Sequence, residues 1–334
     1  MIGLFKRSNG VFYVQYSNPK GTRSWRSTGR TNRSDAIQFL RTFEPAAKRS
    51  STTIAELLSM IENNYRRIYR PGTLGLYKFT LDAWTEINPG VPLSGVSKLL
   101  IQDFIRERLK TIKPVSVNRD LRTLRSAFNH ALSWNLIESN PFSRFPLLKI
   151  PEAPPLFFTP VEFALLASTL RYKNHNLIAN IASMGVYTGL RRGELLSLEW
   201  KNVSFANSSI KVVSSDSYKV KGGKVRSVPI IKSAEIILRK YYREGYDGLV
   251  FGDGSHRFAE QVTRMIKRTV IACGLNKKLH FHSLRHTYAS WLVQRGVSLY
   301  IVQKLLGHSS PSMTQIYSHL SPDDLGQYAR LIEN

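Results

Sequence analysis

Residues 282–317 read HSLRHTYASWLVQRGVSLYIVQKLLGHSSPSMTQIY. His282, Arg285 and His286 open a run that continues through Trp291 and Leu292 at helical spacing. Gly307 directly precedes His308, and glycine is the common terminator of a helix. Tyr317 follows His308 by nine residues. Upstream stands Thr188-Gly189-Leu190-Arg191-Arg192-Gly193-Glu194-Leu195, in which a glycine ends one helix, an arginine opens the next and Glu194 lies one turn on. Between the two stretches, Asn202–Val213 and Val225–Ile230 read as paired strands with Lys221-Gly222-Gly223-Lys224 as the turn. Each pattern alone is weak, because a His-x-x-Arg arises readily by chance in an arginine-rich chain. Their order within one mainly helical region gives them weight.

Working outward, residues 159–334 form the domain that holds these patterns. Thr159, Pro160 and Glu162 mark its first helix with a cap, an N1 proline and a box acid. Residues 141–158 carry Pro141, Pro146, Pro151, Pro154 and Pro155; lost donors and fixed φ angles predict an extended, semi-rigid linker. Residues 52–140 read as helices only. A capping box at Thr53 and Glu56 leads into Leu57, Leu58, Ile61, Tyr65 and Ile68 at helical spacing, and three further apolar stripes follow. Those stripes are core by default, while Arg106, Arg108, Lys110, Arg119, Arg122 and Arg125 lie on the opposite faces. Residues 1–47 read as a three-stranded sheet plus a helix capped by Asn32.

The chain has 334 residues and 48 Lys plus Arg against 23 Asp plus Glu, a net charge of +25. The excess divides evenly on either side of Pro155, with 24 of the 48 basic residues before it, so it is not a tail. A polyanion contacted along the whole chain accounts for this better than a merely solvated basic surface. No apolar run is long enough to span a membrane, and no basic amphipathic helix suggests a membrane surface. Met1–Gly10 lacks the apolar core of a signal peptide. Cys273 is the only cysteine, which excludes an internal disulfide and a multi-cysteine metal site and fits a reducing cytoplasm.

The ordered set resembles the tyrosine recombinases of the phage integrase family. That family combines an arginine in a Thr-Gly-x-Arg-x-x-Glu box, a hairpin lysine, a His-x-x-Arg box, a Gly-His pair and a tyrosine nine residues beyond. The resemblance assigns catalytic roles to Arg191, Lys221, His282, Arg285, His308 and Tyr317, with Glu194 supporting Arg191. The lysine is the loosest match, since Lys219 and Lys224 stand close by; Lys221 sits eight residues before Pro229, at the family's usual distance. The implied fold is mainly α, with a small N-terminal β-sheet domain, an α-helical core-binding domain and a mixed α/β, mostly α, catalytic domain. It also implies a homo-tetramer on double-stranded DNA, DNA-bending or directionality factors as further partners, no cofactor, and the cytoplasm of a prokaryotic host.

The residue types suit that chemistry. A phosphodiester approaching a trigonal-bipyramidal transition state gathers negative charge on its equatorial oxygens, which two guanidinium forks and a histidine donor neutralise. A tyrosine with an ordinary pKa near 10 needs a cationic site and a proton acceptor, for which His282 is the candidate. Lys221 would protonate the leaving 5′-oxygen. His286 reads as a packing or phosphate residue. His280, His282 and His286 lack the acidic companion of a zinc motif, so no metal is expected. DNA contacts are expected from Tyr13, Tyr16, Trp25 and Arg26 on the sheet and from Arg106, Arg119, Arg122 and Arg125 on the helices. A terminal helix bearing Leu325, Tyr328, Leu331 and Ile332 is expected to dock on a neighbouring protomer. A type IB topoisomerase and a non-catalytic DNA-binding protein of the same fold are the alternatives.

Overall fold

The structure is a computed structural model and describes residues 3–17, 23–43, 51–151, 154–213 and 225–321. The chain divides into two compact units, residues 1–151 and 152–334.

The first unit begins with an antiparallel sheet, β1 (Gly3–Lys6), β2 (Phe12–Ser17) and β3 (Arg23–Ser27), in that order. Alternation along β2 sorts its side chains. Phe12, Val14 and Tyr16 are buried, and Val14 and Tyr16 pack with Phe43, just past α1 (Arg33–Thr42). The opposite face carries Phe5, Tyr13 and Trp25, which the strand register aligns. There Phe5 and Trp25 meet edge to face at 5.3 Å, and the Arg7 guanidinium lies 4.5 Å from the Tyr13 ring centroid and 5.1 Å from that of Trp25.

Helices α2 (Ile54–Tyr65), α3 (Pro71–Ile87), α4 (Lys98–Thr111) and α5 (Pro114–Ser133) surround one core. The capping box at Thr53 and Glu56 is present. The chain beyond α5 remains part of this core. Phe142 is 1% exposed and packs against Trp84 and Phe128, and the Asn118 side chain exchanges two hydrogen bonds with the Leu148 backbone, at 2.8 and 2.9 Å. At the other end of the proline-rich stretch, Phe158 is fully buried in the second unit. Both flanks of the segment expected to be a linker are therefore packed.

The second unit is built around α7 (Asn176–Thr188), which is buried along almost its whole length and packs against α6 (Pro160–Tyr172), α9 (Lys232–Tyr241), α10 (His256–Ala272) and α11 (Phe281–Gln294). The short α8 (Arg192–Leu196) follows α7, and α12 (Leu299–Leu306) and α13 (Ser312–Gln315) follow α11. A second antiparallel sheet runs β4 (Val203–Ser204), β5 (Ser209–Val212), β6 (Arg226–Pro229). The strand expected over Asn202–Val213 is thus two strands. Ser208 turns the chain between them with φ 43°, its N–H donating to the Phe205 carbonyl. The turn residues Lys221–Lys224 and the expected C-terminal helix lie outside the described residues.

Candidate active site

The site starts where α7 stops. Gly189 caps α7 in the left-handed region, φ 62°, with the Tyr288 ring against it; a Cβ there would approach that ring to 2.4 Å, so only glycine fits. The turn delivers Arg191 to the N-cap of α8, one turn ahead of Glu194. The Glu194 carboxylate accepts four hydrogen bonds: the Arg191 backbone N–H (2.8 Å) and Nη1 (2.9 Å), and Arg226 Nη1 (3.0 Å) and Nη2 (2.6 Å). Burial alone would raise its pKa, but the bonds and charge of Arg226, then those of Arg191, outweigh this and hold it down to about 2.

Arg285, on α11, is 3% exposed. It donates from Nη1 to the Gly189 carbonyl and from Nη2 to the Leu306 carbonyl, both at 2.6 Å. One guanidinium thereby clasps the turn that carries Arg191 to the turn that carries His308. Arg191 Nη2 reaches toward the Gly307 carbonyl at 3.5 Å. Burial and the charge of Arg191 press the Arg285 pKa down to about 9, still protonated at neutral pH.

Gly307 ends α12 with φ 63° and turns the chain into His308. His308 Nδ1 pairs with the Thr314 hydroxyl at 2.8 Å. Burial, then the charges of Arg285, Arg191 and Arg226, lower its pKa to about 4. His282 keeps contact with solvent; desolvation by the protein packed around it, then Arg285, His280 and Arg191, hold its pKa below the usual histidine value.

Tyr317 follows α13 and is 1% exposed, packed among Ala289, Val293, Val302 and Leu306. Its hydroxyl lies 2.6 Å from His286 Nδ1. The phenol's partner is therefore His286 and not His282, which instead meets the His286 ring edge to face at 4.7 Å. The reading of His286 as a packing or phosphate residue is corrected by this bond. Burial pushes the Tyr317 pKa up to about 12 against the opposing charge of Arg285. Burial first, then the neighbouring histidines and Arg285, hold His286 down to about 3.

Arg191, Glu194, Arg285 and His308 are thus brought together, with His282 and Tyr317 joined to them through α11, while Lys221 lies outside the described residues. Arg226 and His286 are the partners that the motifs do not name. A signal for Arg226 was present: on β6 it shares a face with buried Val228, and an arginine on an inward face needs a buried acid. Among the described residues no group of three or more His, Cys, Asp and Glu is placed to hold a metal ion.

Several expected DNA contacts fall elsewhere. Tyr16 is 4% exposed and donates to Glu138 at 2.8 Å, so it faces the core. Arg26 donates to the Leu132 carbonyl at 3.0 Å on that same face. Arg125 spends its guanidinium on the carbonyls of Phe142 and Phe145, at 2.8 and 2.7 Å. Half-buried Tyr13 and exposed Trp25 lie on the outer face of the sheet. Arg106 and Arg119 pair with Asp103 and Asp120 yet keep exposed side chains, and Arg122 is exposed.

Residues 158–323 match the phage integrase family. A tyrosine recombinase of Pseudothermotoga lettingae is 30% identical over 241 residues, covering 70% of this chain and 82% of that protein. The tyrosine recombinase XerD of Pseudomonas putida is 32% identical over 280 residues, 80% of this chain and 90% of the relative. Among solved structures, the Tn1549 transposon integrase in complex with transposon right end DNA superposes with a TM-score of 0.69 at 21% identity, over 85% of this chain and all of that one. A lambda integrase tetramer bound to a Holliday junction gives 0.63 at 22% identity, over 92% and 96%. The two structures share the fold, mostly helical with small antiparallel sheets, and the sequence relatives share the ancestry. The chain belongs to the phage integrase family and is a tyrosine site-specific recombinase.

Proposed function

We propose that the chain cuts DNA with Tyr317 through a covalent 3′-phosphotyrosine and rejoins the ends to integrate or excise a mobile element. The observation that supports this most is on α11. Adjacent residues there hold the two halves of the chemistry: Arg285 clasps the phosphate pocket and His286 holds the nucleophile.

In this reading the scissile phosphate enters between Arg191, Arg285 and His308. Arg191 uses one terminal nitrogen on Glu194, which leaves donors for a non-bridging oxygen. With the Thr314 hydroxyl donating to Nδ1, neutral His308 carries its proton on Nε2 and donates it to the phosphate. The phenol of Tyr317, with a pKa of about 12, gives its proton toward His286, whose pKa is about 3. That gap keeps the proton on the phenol at rest. The anionic phosphate favours protonated histidine and the neutral phenol alike, so the proton passes to His286 only as the tyrosine oxygen bonds to phosphorus. The bond from the tyrosine oxygen to phosphorus forms, the bond to the 5′-oxygen breaks, and Lys221 protonates that oxygen. A 5′-hydroxyl from another strand reverses the step, so no water is consumed and the phosphodiester energy is kept.

The family's tetrameric assembly on DNA, the separate sheet and core-binding domains and the use of DNA-bending partners belong to the same proposal. The lambda integrase tetramer on a Holliday junction supports the assembly. The outer face of the first sheet, with Arg7 against Tyr13 and Trp25, suits a DNA surface. The test is recombination of a plasmid carrying two copies of the DNA that flanks the gene. Recombinant circles and a covalent adduct are expected; relaxation without site pairing would favour a topoisomerase instead.

A further inference from the structure

Arg226 is the first residue of β6, and its side chain is 10% exposed. Its two terminal nitrogens close on Glu194 at 3.0 and 2.6 Å. Its Nε is buried and has no hydrogen-bond partner among the described residues. The stem of the side chain runs directly beneath the turn into His308. A Cβ on Gly307 would stand 2.6 Å from Arg226 Cδ, so this glycine answers both to its φ of 63° and to the arginine passing under it. One side chain thus touches the strand that follows the hairpin, the carboxylate that orients Arg191, and the turn that delivers His308.

Charge makes the contact more than a strut. Glu194 is fully enclosed, and paired with Arg191 alone it would cancel the charge that Arg191 brings to a phosphate. With Arg226 sharing the carboxylate, three guanidiniums (Arg191, Arg226 and Arg285) face one carboxylate. The surplus is two positive charges, which matches the charge of a phosphodiester as it nears a pentacoordinate state. Geometry follows as well. Because Arg226 occupies both carboxylate oxygens, Arg191 is held to Glu194 through Nη1 and its own backbone N–H.

We propose that Arg226 is a positioning residue for strand cleavage, which holds Glu194 and offsets its charge so that Arg191 stays oriented and net positive toward the scissile phosphate. The proposal rests on the reading of this pocket as the cleavage site. It is tested with the full chain on a nicked suicide duplex whose core sequence the protein has selected from a random pool. Affinity, single-turnover adduct formation and thermal midpoint are measured for the wild type, Arg226→Gln, Arg226→Lys and the charge-balanced Glu194→Gln/Arg226→Gln. The expected result is that Arg226→Gln binds the duplex within about threefold of wild type and cleaves it about 10- to 100-fold more slowly, the range for residues that orient a reacting group. Arg226→Lys should recover part of the rate. The double variant should cleave faster than Arg226→Gln, since it restores the charge balance without restoring the contact. A wild-type rate in Arg226→Gln overturns the proposal. So does a double variant no faster than Arg226→Gln, or a rate loss that tracks the thermal midpoint across all three variants. If the wild type itself forms no adduct, the cleavage reading falls, and this assignment falls with it.

Discussion

The Tyr317 hydroxyl sits 2.6 Å from His286 Nδ1, in a pocket that leaves the tyrosine 1% exposed. The proposed nucleophile is held by the residue next to Arg285, which clasps the turns that carry Arg191 and His308. Any movement of α11 that accompanies DNA binding therefore acts on both at once.

Tyr317→Phe removes that hydroxyl and one hydrogen bond, a net loss of about 1 kcal/mol. The variant should fold, bind DNA and form no covalent band on a denaturing gel. A normal band would move the nucleophile to another tyrosine; exposed Tyr300 is near in sequence.

Arg285→Ala should lose at least about a hundredfold in cleavage rate, the loss typical of one transition-state donor. It should also lower stability, because the buried carbonyls of Gly189 and Leu306 lose their donor at about 1–3 kcal/mol each. Arg191 is more exposed and bonds mainly to Glu194. Arg191→Ala should therefore match the rate loss with a smaller fall in thermal midpoint. Equal midpoint losses would contradict the clasp.

Lys221→Ala should regain cleavage on DNA whose 5′-bridging oxygen is sulfur, because a thiolate leaves without a proton. Rescue of Lys224→Ala in its place would assign the acid to Lys224.

Stability should depend on pH through the enclosed histidines. His286 and His308 fall from 6.5 to about 3 and about 4 on folding. Between those values and 6.5 the unfolded chain binds more protons than the folded one. Stability is thus full above about pH 6.5 and falls as the pH drops toward 4. Thermal midpoints measured across this range should slope less in His286→Asn and His308→Asn. An unchanged slope in both would mean that these rings do not control it.

Replacing Arg7 and Trp25 by alanine should leave the sheet folded, since neither belongs to the core formed by Val14, Tyr16 and Phe43. The footprint should lose short protected sites outside the crossover and keep the crossover itself. An identical footprint would mean that the sheet reads no separate site.

What the sequence made legible depended on how local each signal was. The caps at Asn32, Thr53 and Thr159 are contacts across a single turn, and all three stand as read. The inward and outward faces of β2 follow from alternation, yet the sequence could not say which aromatic faced the core. Tyr16 went inward because Glu138, far along the chain, supplies a partner for its hydroxyl. Arg125 is the same case, since its acceptors are carbonyls of a loop that periodicity does not fold. In the site, Arg191 and Glu194 are neighbours on one helical turn and readable together. Arg226 meets Glu194 across 32 positions, and His286 meets Tyr317 across 31. Such pairings are set by the packing of whole elements, so neither could be read from spacing.

The enclosure of Tyr317 also bears on how the protein ages. Nitrating and oxidising species attack phenols they can reach, and in this chain they reach Tyr172, at 89% exposed, and Tyr300, at 63%, long before Tyr317 at 1%. Tyr317, the proposed nucleophile, is therefore the best-shielded phenol among the described residues while the enzyme waits for DNA.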